Sequence, residues 1–531
     1  MRTLSVGWAI VSLLVACATE AGRESTAGAG RQVPARPNIL MVYSDDHATA
    51  AIGAYGADHA PTPNIDRLAA EGVVFENAFC TNAICAPARA VVLTGQHSHV
   101  NGVRDNGDVF DGSRATFPKL LQASGYRTAL FGKWHLKDDP IGFDTWEILP
   151  GQGDYYSPDF VSPSGKRERT GYVTDIVTDL AIEWLQEGRD DERPFLLMVQ
   201  HKAPHRSWMP GPAHVDLFEG ETIPEPATLF DDYEGRGSAA REQEMTIAEH
   251  MHPAYDLKVP RTDGQEPDGM DRWAASLLGR MTVEQRQTWE AAFAPRNDAF
   301  RAAGLQDEAL VSWKYQRYIK NYLRCIASID DNVGRLTDWL DENGLADNTI
   351  VVYSSDQGFF LGEHGWYDKR FMYEPALRLP LIVRWPSGFA GGRRVPELVQ
   401  NLDLAPTFLE AADAYVPRDV EAAIQGRSLL PLLGGDAPND WRRSIYYEYF
   451  EEGIHAVQPH YGVRTERYKL MHFHKLDEWE LYDLERDMHE MHSVADDPAY
   501  AGVRSELERE LQGLRQDLDV PARSDEAAGD C

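Results

Sequence analysis

Five short runs of uninterrupted apolar residues, with helical patterns between them, constrain the fold more than any other feature. They are Asn38–Tyr43 (NILMVY), Thr128–Phe131, Phe195–Gln200 (FLLMVQ), Ile350–Tyr353 (IVVY) and Leu381–Arg384 (LIVR). A strand with one wet face alternates apolar and polar residues; a run without alternation suits a strand covered on both faces. Thr174–Gln186 and Tyr315–Asn343 carry the helical period. Strands alternating with helices predict an α/β fold, a mostly parallel or mixed central sheet with helices on both faces. Functional groups in such sheets gather in the loops after the strand C-termini. Asp45, Asp46, Lys133, His135, His205 and Asp356 each follow one of these runs.

The chain changes character in three places. Met1–Cys17 has one Arg, then a short apolar run ending in small residues, and reads as an export signal too short to span a bilayer. Leu14-Val15-Ala16-Cys17 resembles a bacterial lipobox, with a plain signal peptide as the alternative. Residues 18–36 read as a tether. The expectation is export, as a periplasmic or outer-membrane lipoprotein or a secreted protein, with membrane contact only through an N-terminal lipid. The core domain is expected over 37–435, with a polar insertion rich in Glu, Met and Pro at about 217–300. From about Arg442, SIYYEYF, HYGVRTERYKLMHF and EWELYDLE read as antiparallel strands, followed by a charged helix at Asp497–Leu518. This predicts a smaller α+β subdomain over 436–531, ending in an acidic tail.

Charge and cysteine content exclude several classes. With 52 Lys+Arg against 84 Asp+Glu, the net charge of −32 argues against nucleic-acid binding, which needs a basic face. Five cysteines are too few for a disulfide scaffold, and no paired CxxC points to zinc.

The chemistry is concentrated in a few strings. Cys85-Ala86-Pro87-Ala88-Arg89 is a C-x-P-x-R element that leads into Leu93-Thr94-Gly95. PNILMVYSDDH puts Asp45 and Asp46 at one strand end, and VVYSSDQG puts Asp356 and Gln357 at another. Carboxylates with an amide oxygen suit a hard divalent cation, Ca2+ rather than zinc, with Mg2+ as the alternative. A single Asp pair would read equally well as a turn or helix cap; two pairs at two strand ends read as a site.

The string CAPARAVVLTG resembles the signature of the type I sulfatases of the alkaline phosphatase-like superfamily. Gly132-Lys133-Trp134-His135, Ala203-Pro204-His205 and Trp366–Arg370 resemble further elements of that family in the expected order. Ala88 and Gln357 depart from it, since many members carry Ser, and Asn or His, at these places. The resemblance implies that a maturation enzyme oxidises Cys85 to formylglycine, whose hydrated diol is the nucleophile and one of the metal ligands. It implies a cation held by Asp45, Asp46, Asp356 and Gln357, with Arg89, Lys133 and Lys369 gathering positive charge around the sulfate. It further implies His205 or Lys369 as proton donor to the leaving oxygen, and His135 as the group that helps release sulfate. ILPGQGDYYSPDF, EHGWYDKRFMYEP, and HYGVRTERYKL with DEWELYDLE are similar to bacterial polysaccharide sulfatases of the N-acetylglucosamine-6-sulfatase type.

A sulfated carbohydrate is therefore the expected substrate, with Arg370, His455, His460 and Arg464 as candidate sugar contacts. His97, His99, His201 and His364 read as packing or supporting residues. Two rival readings stand beside this one. A phosphate or phosphonate ester hydrolase of the same fold would also use a metal and a basic pocket. A glycan-binding protein would result if residue 85 were never matured.

Overall fold

The computed structural model describes residues 36–262 and 264–522. The leader, Cys17, nearly all of the tether and the end of the acidic tail lie outside the described residues. In chain order the strands are β1 (Asn38–Ser44), β2 (Val73–Phe79), β3 (Arg127–Lys133), β4 (Thr145–Leu149), β5 (Asp159–Ser162), β6 (Gly165–Glu168), β7 (Phe195–Gln200) and β8 (Thr349–Ser355). They continue as β9 (Phe360–Leu361), β10 (Tyr367–Asp368), β11 (Leu381–Arg384), β12 (Arg393–Gln400), β13 (Ser444–Tyr449), β14 (His460–Thr465), β15 (Tyr468–Phe473) and β16 (Glu478–Asp483).

Ten of them form one sheet in the order β12-β2-β11-β8-β1-β7-β3-β4-β5-β6. The central strands β8, β1, β7, β3 and β4 pair in parallel, with Met41 beside both Met198 and Val352. β11 runs antiparallel between β8 and β2, and β5 and β6 form an antiparallel edge, so the sheet is mixed. Every residue of β7 and β8 is buried, as their unbroken apolar runs predict. The runs did not point to β2, β4 or β12. β2 has half-buried Glu76 and Asn77, and β12 alternates buried and exposed residues at the sheet edge, so neither reads as a continuous apolar stretch.

The helix expected at Tyr315–Asn343 begins earlier and runs from Asp307 to Glu342, 36 residues in all. Its Asp330 accepts hydrogen bonds from the Asn64 and Ile65 amides, capping the Pro63–Glu71 helix on the sheet. The 217–300 region contributes helices Gly269–Gly279 and Val283–Ala303 and, among the described residues, no sheet strand.

β13 to β16 form a second, antiparallel sheet in sequential order. Its side chains alternate between two cores. Ile445, Tyr447 and Tyr449 join the main core, while Tyr446, Val463, Leu470 and Leu481 pack with Leu507 and Leu511 of the C-terminal helix. That helix starts at Ala501, after a 3-10 turn at Pro498–Tyr500 that the Asp497 side chain caps. No helix among the described residues is long and apolar enough to cross a membrane.

Candidate active site

The site lies at the C-terminal ends of the central parallel strands. β1 delivers Asp45 and Asp46, β8 delivers Asp356 and Gln357, β3 ends on Lys133, and the loop after β7 carries His205. Asp46 adopts a positive φ of 71°, and its amide donates to Asp356 Oδ1 at 3.0 Å, so the two strand ends are tied directly. Into this corner points the Cys85–Thr94 helix, all ten residues of which are buried. Cys85 is its first residue, where the unsatisfied amides of a helix N-terminus favour negative charge. Arg89 lies one turn on. Its Nη1 donates to Gln200 Oε1 at 2.8 Å and to the Lys133 carbonyl at 2.9 Å, and its Nη2 meets Asp356 Oδ2 at 3.1 Å.

Asp45, Asp46 and Asp356 each bring an oxygen within 4.8 Å of the others, and Asp45, Cys85 and His205 form a second such group. Three buried carboxylates must share the cations around them. Lys133 pairs with Asp45 and donates to Gln152 Oε1 at 2.5 Å; Lys369 Nζ lies 2.7 Å from both oxygens of Asp46. Burial pushes the Asp45 carboxyl up, but Lys133 and Arg89 outweigh it and hold it well below the usual range. Asp356 is driven the other way, by burial and then by the charge of Asp45. The protein's own cations thus leave the third carboxylate short of positive charge. Asp45 Oδ1 and Gln357 Oε1 are both buried without a hydrogen-bond partner among the described residues. Buried oxygens without a hydrogen bond, facing a surplus of carboxylates, are the donor set of a hard divalent cation. The residues present fit such an ion.

The remaining groups are arranged around this cluster. Burial raises the Cys85 thiol far above its ordinary value, so the unmodified side chain is a poor nucleophile. Burial also keeps His205 neutral; its Nδ1 pairs with the Arg206 carbonyl at 2.6 Å, leaving Nε2 3.9 Å from Asp46. His135 has a positive φ of 59°, and burial, then Lys133, push it down to about 2.

Above them opens a cleft of about 290 Å3 lined by Cys85, His205, Lys369, Arg370 and His455. Arg370 Nη1 donates to the Tyr449 hydroxyl at 3.1 Å and pairs with Glu451, while His455 Nε2 is 3.3 Å from Asp368. The structure places two of the expected sugar contacts elsewhere. His460 is buried among Phe371, Tyr447 and Phe473, and its Nε2 accepts the Met372 amide at 3.0 Å. Arg464 pairs with Glu374 and lines a different cleft, next to Arg378 and Glu466. Both sit on β14, whose residues face the two cores of the C-terminal sheet rather than the cleft.

The sequence reading missed Asn106, Gln152, Arg206, Tyr255, Asp368, Met270 and Trp273, all of which line the cleft. Gln152, Arg206 and Asp368 stand in or beside strings already singled out. Tyr255, Met270 and Trp273 belong to the 217–300 region, where no motif marked them. Of the supporting histidines, His97 and His201 are buried, and His364 is held by Asp231 at 2.9 Å.

Similarity to known proteins agrees with this geometry. A relative from Bacteroides thetaiotaomicron named N-acetylglucosamine-6-O-sulfatase is 47% identical over 92% of this chain and 88% of its own. A solved structure described as bound to its substrate D-glucosamine-2-N,6-O-disulfate superposes with a TM-score of 0.88 and 47% identity, covering 91% of this chain and 98% of that one. A phosphonate monoester hydrolase from Agrobacterium radiobacter shares the fold alone, with a TM-score of 0.65 and 22% identity over 91% of this chain and 96% of its own. Residues 362–517 match the C-terminal family model of N-sulphoglucosamine sulphohydrolase. Residues 37–414 match the sulfatase family model, and with the C-x-P-x-R cysteine at the floor of an acidic, cation-shaped corner the chain belongs to the sulfatase family of sulfuric ester hydrolases.

Proposed function

We propose that this enzyme removes the 6-O-sulfate from a glucosamine-type sugar at the end of a glycan. The observation that carries the reading is Cys85: the first residue of a buried helix, at the floor of a sugar-sized cleft, beside three clustered carboxylates. The relative at 47% identity, named for that sulfate ester, supports the choice of sugar. Asp45, Asp46, Asp356 and Gln357 would hold a divalent cation, Ca2+ by the all-oxygen donor set, close to the oxygen of a matured residue 85. The matured residue would supply a diol hydroxyl as nucleophile, and the cation would supply positive charge at the sulfuryl oxygens.

This chain's own residues would do the rest. Arg89, Lys133 and Lys369 converge on the corner with their charges fixed by Asp356, Asp45 and Asp46, so little reorganisation accompanies the charge that develops in the transition state. Lys369 and His205 both line the cleft and would be the candidates to protonate a leaving sugar oxygen. His135, two residues after Lys133, would take the proton movement that frees sulfate, the role the family resemblance gives it.

The cleft also favours one sugar over a long sulfated chain. Asp368 is held ionised: burial opposes it, but Arg370, Lys369 and His455 bring it well below the usual carboxylate range. A fixed carboxylate beside the reacting group accepts hydrogen bonds from the hydroxyls of a single sugar. This supports terminal, exo action.

The test has two arms. Mass spectrometry of the peptide containing residue 85 should find an aldehyde in active enzyme. Sulfate release should be faster from a terminal 6-sulfated glucosamine than from 2- or 4-sulfated sugars or from internal positions of a polysaccharide. Faster release from internal sulfates would defeat the terminal-sugar reading; activity with an unmodified thiol would defeat the nucleophile.

A further inference from the structure

Trp273 and Met270 occupy successive turns of the Gly269–Gly279 helix and line the same cleft as Cys85. Neither belongs to a hydrophobic core among the described residues. Trp273 is 58% exposed and Met270 36% exposed, whereas Ala274, Leu277 and Leu278 of the same helix line an apolar cavity with Trp289 and Phe293. Among the described residues the Trp273 ring has neither an aromatic neighbour nor a cation over its face. Tyr255, the other aromatic in the cleft, already has Arg206 at 5.4 Å and Lys258 at 5.8 Å.

The helix that presents Trp273 is firmly started. Asp268 and Asp271 form a reciprocal capping box, and His252 Nε2 lies 3.3 Å from Asp268. A bare indole face held at the rim of a polar cleft is the usual form of an apolar contact in a ligand site.

We infer that Trp273 is a specificity-determining residue, a platform for the sugar next in the chain after the sulfated one. The inference rests on the terminal-sugar reading above. Cys85 is fully buried at the floor and Trp273 is open at the rim, so the ring meeting Trp273 lies outward of the one whose sulfate reaches residue 85. A pyranose offers C–H groups on one face and hydroxyls at its edge. An indole face buries the former and leaves the latter in water.

The experiment compares Trp273→Ala and Trp273→Phe with the parent enzyme on two substrates: 6-sulfated N-acetylglucosamine, and a disaccharide carrying that sugar at its non-reducing end. Trp273→Ala should raise KM for the disaccharide roughly tenfold, about 1.4 kcal/mol, with kcat little changed. The monosaccharide should shift less than about twofold, on the same reasoning that only the outer ring loses contact. Trp273→Phe should restore most of the disaccharide KM, and the melting temperature should stay within about 2 °C because the side chain is largely exposed. Equal losses on both substrates, or no change on either, would overturn the platform. If the parent hydrolyses neither substrate, the terminal-sugar reading fails instead.

Discussion

At the residue scale, the site separates groups that do chemistry from groups that hold them. Cys85 contributes little to packing that Ala could not replace. Cys85→Ala should lower turnover by at least about a thousandfold while destabilising by only about 1 kcal/mol, measured by sulfate release and denaturant unfolding. Cys85→Ser should be nearly as inactive, because aerobic maturation to an aldehyde needs the thiol; parent-like activity of the Ser variant would refute the diol nucleophile. Asp356→Asn removes charge from the carboxylate trio, and so should weaken metal retention as well as activity. Chelation of the parent should abolish turnover, with recovery on adding Ca2+; metal-free protein with full activity would sink the cation assignment.

His201 gives a signed pH test away from the reacting groups. Burial alone lowers it from 6.5 to about 3, and neither ring nitrogen has a partner among the described residues. Below pH 6.5 the unfolded chain therefore takes up a proton that the folded chain refuses. The stability this side chain permits is complete above 6.5 and is lost as pH falls toward 3. Relative to the parent, His201→Leu should gain about 1.4 kcal/mol between about pH 7.5 and about pH 5.5. A pH-independent difference in unfolding free energy would show that His201 titrates in the folded chain as it does in the unfolded one.

At the element scale, close strand packing aims the functional side chains. Gly132 precedes Lys133 at the end of β3 with φ of +105°, and a Cβ there would sit 1.9 Å from the Gln200 carbonyl oxygen of β7. Gly132→Ala should break the last rung of the β3–β7 pairing and displace Lys133 from Asp45. We expect a loss of about 3 kcal/mol or more and a fall in kcat, read by thermal unfolding and kinetics. A stable, active Gly132→Ala enzyme would mean that the strand end tolerates movement.

At the scale of the whole molecule, a net charge of −32 surrounds a local cluster of cations. The overall field repels a polyanion, and attraction operates only within about a Debye length, roughly 8 Å at physiological ionic strength. Added salt should therefore screen repulsion more than attraction. Raising NaCl from about 50 to about 300 mM should increase kcat/KM for a sulfated oligosaccharide about two- to threefold. A steep fall instead would reveal a long basic binding groove.

The sequence by itself determined the buried strands at the middle of the central sheet, the order of the site elements and the second, antiparallel sheet. Unbroken apolar runs and strict alternation are local consequences of how many faces a strand buries. It also marked Asp45, Asp46 and Asp356 by their place at strand ends, and Cys85 and Arg89 by resemblance to the type I sulfatase signature. Only the tertiary structure decided which cations pair with which carboxylates, and that Asp45 Oδ1 and Gln357 Oε1 have no hydrogen-bond partner among the described residues. It alone turned His460 and Arg464 away from the cleft, since β14 has a core on each face and their neighbours fix which way each points. It alone brought Met270 and Trp273 to the rim. Their helix comes from a region without motifs, and where a helix lies depends on what it packs against, which its own residues do not specify.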